Sequence, residues 1–280
     1  MFLKSVTAIS LAALTLGATT SIVAAKEKKK PWEVTKVQVK APKGSPLDYL
    51  ASGYWFRTKK TQSLQNDDFE NPGFLWVEQG KTLWSKVDGK AGKSCASCHQ
   101  KAEKTMKGVG ARYPVYFPKW KKMMAIQHRV NYCRENNMKA KKWKWESGQM
   151  LGMATYIRNQ SRGMAVAVKV DGSAKKFFEA GKKFYYQRRG QLDMSCAGCH
   201  QQNFGKRIRA DLLSQGHSNG FPTYRLKWQK IGSLHRRFRG CNSQVRAKPY
   251  KRGSAEYTNL ELYLAWRGLG LKIETPAVRQ

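Results

Sequence analysis

Six cysteines and five histidines are few enough in 280 residues for their spacing to carry meaning. Four of the cysteines fall into two Cys-x-x-Cys-His runs, Cys95-Ala96-Ser97-Cys98-His99 and Cys196-Ala197-Gly198-Cys199-His200. Two thiols one helical turn apart can each add across a vinyl group of a porphyrin, and the histidine that follows reaches the iron as proximal ligand. The runs therefore predict two covalently bound c-type haems, on Cys95 and Cys98 and on Cys196 and Cys199, with His99 and His200 as axial ligands. A structural zinc would need four clustered nitrogen or sulfur ligands. These two pairs are 101 residues apart, and each is followed by its own histidine.

The ligand on the far side of each iron decides what such a haem does. Electron-shuttling haems usually take Met or His there. The last methionine is Met194, so beyond the second run the donors are His217, His235, Cys241 or a lysine. Cys241 follows Arg237 by four residues, as Cys133 follows Arg129. Three readings of Cys133 and Cys241 stand side by side: buried small hydrophobes, a disulfide between the two, or distal thiolates. Thiolate ligation would stabilise ferric iron and direct attention to sulfur chemistry at the cysteine itself.

An internal repeat supplies the elements that would position these residues. Glu78-Gln79-Gly80-Lys81 and Glu179-Ala180-Gly181-Lys182 precede the two runs at the same distance, with an offset of 101. Trp76, Gly80, Leu83 and Trp84 map onto Phe177, Gly181, Phe184 and Tyr185 at helical spacing, so each run follows an amphipathic helix. Downstream the offset is 108: Tyr113-Pro114 matches Phe221-Pro222, Trp120 matches Trp228 and Cys133 matches Cys241. A closing helix carries Met150, Met153 and Ile157 in one half and Tyr257, Leu260 and Leu264 in the other. The expected fold is mainly α, with two tandem cytochrome c-like domains related by internal duplication, at 71–168 and 169–280. Residues 26–70 read as an N-terminal linker and extension. Its first part, to about residue 46, reads as a linker or a draped arm, and the aromatics of Ser52-Gly53-Tyr54-Trp55-Phe56 call for burial.

Residues 1–25 have the pattern of a cleaved signal peptide: an apolar run from Val6 to Val23, then a small-x-small end at Val23-Ala24-Ala25. No other stretch is long enough and apolar enough to span a membrane, so an exported, periplasmic and not integral membrane protein is expected. The net charge of +35 would steer acidic partners and anions. Nucleic acid, the usual partner of so basic a chain, is not expected for an exported haem protein.

Longer stretches carry a family resemblance. They are Ser52-Gly53-Tyr54, Asp67-Asp68-Phe69-Glu70-Asn71-Pro72-Gly73, Gln127-His128-Arg129-Val130-Asn131-Tyr132-Cys133 and the segment from His235 to Ala247, which contains Arg237-Phe238-Arg239-Gly240-Cys241. With the two haem runs they resemble the SoxA family, the dihaem subunits of SoxAX thiosulfate-oxidising cytochromes, over essentially the whole mature chain. The resemblance implies Cys133 and Cys241 as axial thiolates opposite His99 and His200. It implies Cys241 as the catalytic residue, found as a persulfide in the family, and Arg237 as the substrate anion's partner. It implies a heterodimer with a monohaem cytochrome, SoxX, which passes electrons to a downstream electron-accepting cytochrome. The implied reaction joins thiosulfate to a cysteine of the SoxYZ carrier, an L-cysteine S-thiosulfotransferase activity. On the residues alone, Arg237 could instead pair with a haem propionate, and Arg236, Arg239, Arg246 and Lys248 suit either task. A dihaem cytochrome serving only in electron transfer is the other functional reading.

Overall fold

A computed structural model describes residues 37–280, so the signal-peptide expectation for 1–25 and most of the arm lie outside the described residues. The described chain opens with strands β1 (Gln38–Lys40) and β2 (Tyr49–Ala51), paired antiparallel, followed by helix α1 (Lys59–Asn66). Part of the stretch expected as a draped arm is therefore strand. Ser52 Oγ hydrogen-bonds the Glu274 carboxylate, and the Asn71 amide donates to the Pro276 carbonyl at 2.9 Å. These partners sit in the last part of the chain, and they fix the extension onto it. Of the aromatics expected to be buried, Phe56 is, whereas Trp55 is 54 % exposed.

Helix α2 (Phe74–Ser85) starts where Asn71 Oδ1 accepts from the Gly73 N–H, at 2.9 Å. The short helices α3 (Ala96–His99), α4 (Ala102–Thr105) and α5 (Val109–Arg112) lead to a hairpin of β3 (Val115–Phe117) and β4 (Lys122–Met124). Helices α6 (Ile126–Asn136) and α7 (Gly148–Asn159) complete this half. The same order then recurs. Helix α8 (Lys175–Tyr186) precedes α9 (Cys196–His200), and a small hairpin of β5 (Arg207–Ile208) and β6 (Asp211–Leu212) precedes a larger one of β7 (Thr223–Arg225) and β8 (Lys230–Gly232). Helices α10 (Leu234–Gln244) and α11 (Ala255–Arg267) follow, and β9 (Ala277–Arg279) adds to β7 in parallel.

Each half is built on one helix crossing. Helix α2 packs on α7 at Gly80, where an added Cβ would lie 2.3 Å from the Gly152 carbonyl oxygen. Helix α8 packs on α11 at Gly181, where it would lie 2.0 Å from that of Asn259. Around the first crossing lie Val77, Trp84, Met150, Met153 and Ile157; around the second lie Phe184, Tyr185, Leu260, Tyr263 and Leu264. A third cluster, with Met123, Val166 and Val168 from one half and Leu262, Ala265 and Ile273 from the other, joins them. The Gly163 and Val166 N–H groups donate to the Ile273 and Leu271 carbonyls, both at 2.9 Å. The stretch just before residue 169 therefore runs beside the end of the second half and is not an open linker.

Candidate functional site

Serines place the two Cys-x-x-Cys-His turns. Ser195 Oγ accepts from the Gly198 N–H and Ser94 Oγ from that of Ser97, both at 3.1 Å, satisfying donors that a helix start leaves open. In the second half the His200 Nδ1–H donates to the Ser214 carbonyl at 2.7 Å, which orients the ring. Gly216, with φ +75°, lies against the same ring: a Cβ there would be 2.8 Å from His200 Cγ. Gln215 holds this loop. Its Oε1 accepts from the Ala51 N–H at 2.7 Å and its carbonyl accepts from Arg267 at 2.9 Å. The extension and the end of α11 thus build the wall behind His200.

Across from His200, within hydrogen-bond reach, is Cys241 on α10. Arg237 is four residues earlier on that helix, so both side chains share a face. Burial pushes the Cys241 thiol up, but Arg237, His200 and Arg225 outweigh it and bring the thiol down to about 7. The neighbouring thiols go the other way: burial, then the nearby Cys241, raises Cys196 to about 12 and also raises Cys199. The Arg237 N–H donates to the Ser233 carbonyl in the helix, while its side chain has no hydrogen bond, ion pair or ring contact among the described residues.

The first half repeats the plan without that charge. Cys133 on α6 is one turn beyond Arg129, and burial raises its thiol despite Arg129. The Arg129 guanidinium lies over Phe117 and Tyr132, 5.1 and 5.2 Å from the ring centres. Burial raises Cys95 to about 11 and lowers His99, whose ring is 5.8 Å from that of Trp84. Cys98 is exposed.

All six cysteines are free, so Cys133 and Cys241 are not joined to each other. No group of three or more His, Cys, Asp or Glu side chains gathers as a metal site among the described residues. At the second run, two unpaired thiols on one turn, a histidine with Nδ1 held by a carbonyl and the Cys241 sulfur opposite are a donor set that fits a covalent haem.

Two other candidate donors stand elsewhere. His217 is in the wall behind His200, with Nε2 on Gln215 Oε1 at 2.9 Å. His235 accepts from the Gly253 N–H at 2.9 Å, meets Glu261 at 3.0 Å and lines a cavity of about 20 Å³ with Arg158. Arg236 stacks over Trp228 at 4.2 Å, and Arg239 donates to the Tyr250 carbonyl at 2.5 Å. Arg246 and Lys248 are exposed. Arg225 and Arg57, which the sequence reading passed over, lie near Arg237. Arg57 is 184 residues from Cys241, and no spacing rule connects them.

The sequence model of the SoxA/TsdA cytochrome c domain family matches residues 79–166. The chain is 47 % identical over 241 residues, 86 % of its length and 84 % of the relative's, to the L-cysteine S-thiosulfotransferase subunit SoxA of Pseudaminobacter salicylatoxidans. It is 46 % identical to the protein of that name from Paracoccus pantotrophus, over 88 % of this chain and 84 % of the relative. The chain belongs to the SoxA family. A chain in the crystal structure of SoxXA from P. pantotrophus superposes with a TM-score of 0.84 at 44 % identity, covering 87 % of this chain and 93 % of that one. SoxA membership brings a cytochrome c domain with covalently attached haem. No described helix is long and apolar enough to cross a membrane.

Proposed function

We propose that the chain is the catalytic dihaem subunit of a periplasmic thiosulfate-oxidising cytochrome, an L-cysteine S-thiosulfotransferase. Cys95, Cys98, His99 and Cys133 would hold one haem. Cys196 and Cys199, with His200 and Cys241, would hold the other. The two halves, 71–168 and 169–280, would descend from one duplicated cytochrome c unit. The observation that carries the reading is the contrast between the distal cysteines: Cys241 faces Arg237, Arg225 and His200 and its thiol is lowered, while the Cys133 thiol is raised.

Bound haem supplies a redox-active iron beside the thiol; the chain's own side chains supply the rest. Arg237, a planar donor fork one turn from Cys241, suits the sulfonate end of thiosulfate and turns its outer sulfur toward Cys241. Joining the Cys241 thiolate to that sulfur makes a Cys241–S–SO₃⁻ group and releases two electrons. A thiolate of the carrier SoxYZ then attacks the same sulfur, forming the carrier's S–S bond and freeing Cys241 by ordinary exchange. The overall change is thiosulfate plus a carrier thiol giving the carrier S-thiosulfonate, one proton and two electrons. The electrons leave through a partner monohaem cytochrome, SoxX, to a downstream electron-accepting cytochrome. Were Cys241 held as a persulfide, its outer sulfur would take the thiolate's place in both steps and be regenerated by the exchange.

Replacing Cys241 by Ala in the complex with the monohaem partner should abolish thiosulfate-dependent coupling to the carrier, with the covalent haem mass retained. Coupling that survives with only a changed haem spectrum would leave electron transfer as the function. Intact-mass measurement of the native subunit should show two haems plus about 32 Da for an added sulfur.

A further inference from the structure

The wall behind His200 holds a charged side chain that the chemistry at Cys241 does not use. Arg267, in the last turn of α11, is fully buried. Its Nη1 donates to the Gln215 carbonyl at 2.9 Å, and its guanidinium lies over the Tyr185 ring, 4.5 Å from the centre. Its Nε and Nη2 have no hydrogen-bond partner, and neither have the Tyr185 hydroxyl and His217 Nδ1. Among the described residues no carboxylate pairs with Arg267. A guanidinium keeps its charge at any ordinary pH, so this is a buried cation without a counter-ion.

The loop that Arg267 holds fixes its place relative to His200. Ser214, one residue before Gln215, accepts the His200 Nδ1–H at 2.7 Å. An added Cβ on Gly216, one residue after, would lie 3.0 Å from that same nitrogen. With Nδ1 given to a carbonyl, His200 reaches iron through Nε2, so a haem and its propionates belong on the other side of the imidazole. The propionates therefore lie away from Arg267 and do not neutralise it. His217, in the same wall, adds no charge: burial first, then Arg267, holds it well below the ordinary histidine range. The first half has no cation at the matching position. Gly80 meets Tyr156 as Gly181 meets Tyr263, and four residues beyond Tyr156 stands Gln160, where Arg267 follows Tyr263.

We propose that Arg267 is a positioning residue for the second haem: it fixes the loop that orients His200 and, as a buried cation behind that ligand, raises the haem's reduction potential. The assignment rests on haem being carried at Cys196 and Cys199 with His200 on its iron. Reduction adds one electron to the site, and a cation nearby in a low-dielectric interior favours the form that has gained it. A Cys241 thiolate would pull the potential down, and Arg267 opposes that pull from the His200 side.

The test uses the assembled holo-complex, with the potential of each haem read by spectroelectrochemical titration. The haem whose potential moves in Cys241→Met identifies the second one. A buried unit charge predicts that Arg267→Gln shifts the ferric–ferrous equilibrium of that haem toward ferric about tenfold, a fall of about 59 mV, with the first haem unchanged. Arg267→Met fills a similar volume without charge and should show the same fall, which keeps the test readable if the Gln variant packs poorly. Arg267→Lys keeps the charge and should recover most of the shift. An unchanged second-haem potential in the Gln and Met variants overturns the proposal. So does a Lys variant shifted as far as these two, since Arg267 then acts through packing and not through charge. A wild-type Cys196–His200 peptide that carries no haem mass overturns the haem reading itself, and the proposal with it.

Discussion

Arg129 and Arg237 each stand one helical turn ahead of a cysteine, and they meet different company. Arg129 is engaged by two aromatic rings, whereas Arg237 lies over no ring and feels the charges of Arg225 and Arg57. The Arg-x-x-x-Cys spacing was legible because it is local. The difference in chemistry was not, because it comes from side chains that only the folded chain brings together. His128 shows the same limit. Its Nδ1 accepts from the Ala125 N–H at 3.1 Å, so Nε2 carries the proton and donates to the Gly253 carbonyl at 3.0 Å. Burial, only partly opposed by that bond, lowers His128 from 6.5 to about 4. The unfolded chain therefore binds a proton that the folded chain refuses, and stability should fall as pH drops from about 6.5 toward 4, by up to about 3 kcal/mol. Urea midpoints at pH 7 and 4.5, for the wild type and His128→Gln, check this. The variant should lose less stability on acidification, and parallel losses would refute the locked neutral ring.

At the scale of elements, the two glycine crossings were readable as aligned positions, Gly80 with Gly181, on faces of helical period. Both prove to be points where backbones touch. Gly181→Ala forces a Cβ against the Asn259 carbonyl, so α8 and α11 must separate. Overpacking of this kind costs about 3 kcal/mol and should lower the melting temperature by roughly 6–12 °C. A melting curve that coincides with the wild type would show that the crossing can open freely. The strands were harder to foresee. β1 and β9 are three residues each, too short for an alternating pattern, and β9 follows Pro276. Parallel pairing of β9 with β7 is set by tertiary contact, with Thr223 opposite Ala277 and Arg225 opposite Arg279.

For the whole molecule, 53 basic residues against 18 acidic ones leave a surface that self-pairing cannot neutralise. The eight ion pairs among the described residues use eight different carboxylates and leave most lysines open. Association with an acidic partner should be fast at low salt and slow by about tenfold or more between 0.01 and 0.15 M, as seen in stopped-flow mixing. A rate independent of salt would mean the charge serves solubility alone. The extension has a different reach. Ser52 and Glu274 are 222 residues apart, Gln65 and Val278 are 213 apart, and Asn71 and Pro276 are 205 apart. A chain made from its N-terminus must carry residues 50–71 without their partners until the final strand is synthesised. Contacts of such separation close late. Until they do, the loop that backs His200 lacks its support from Ala51, and the Cys196–His200 turn stays open on that side.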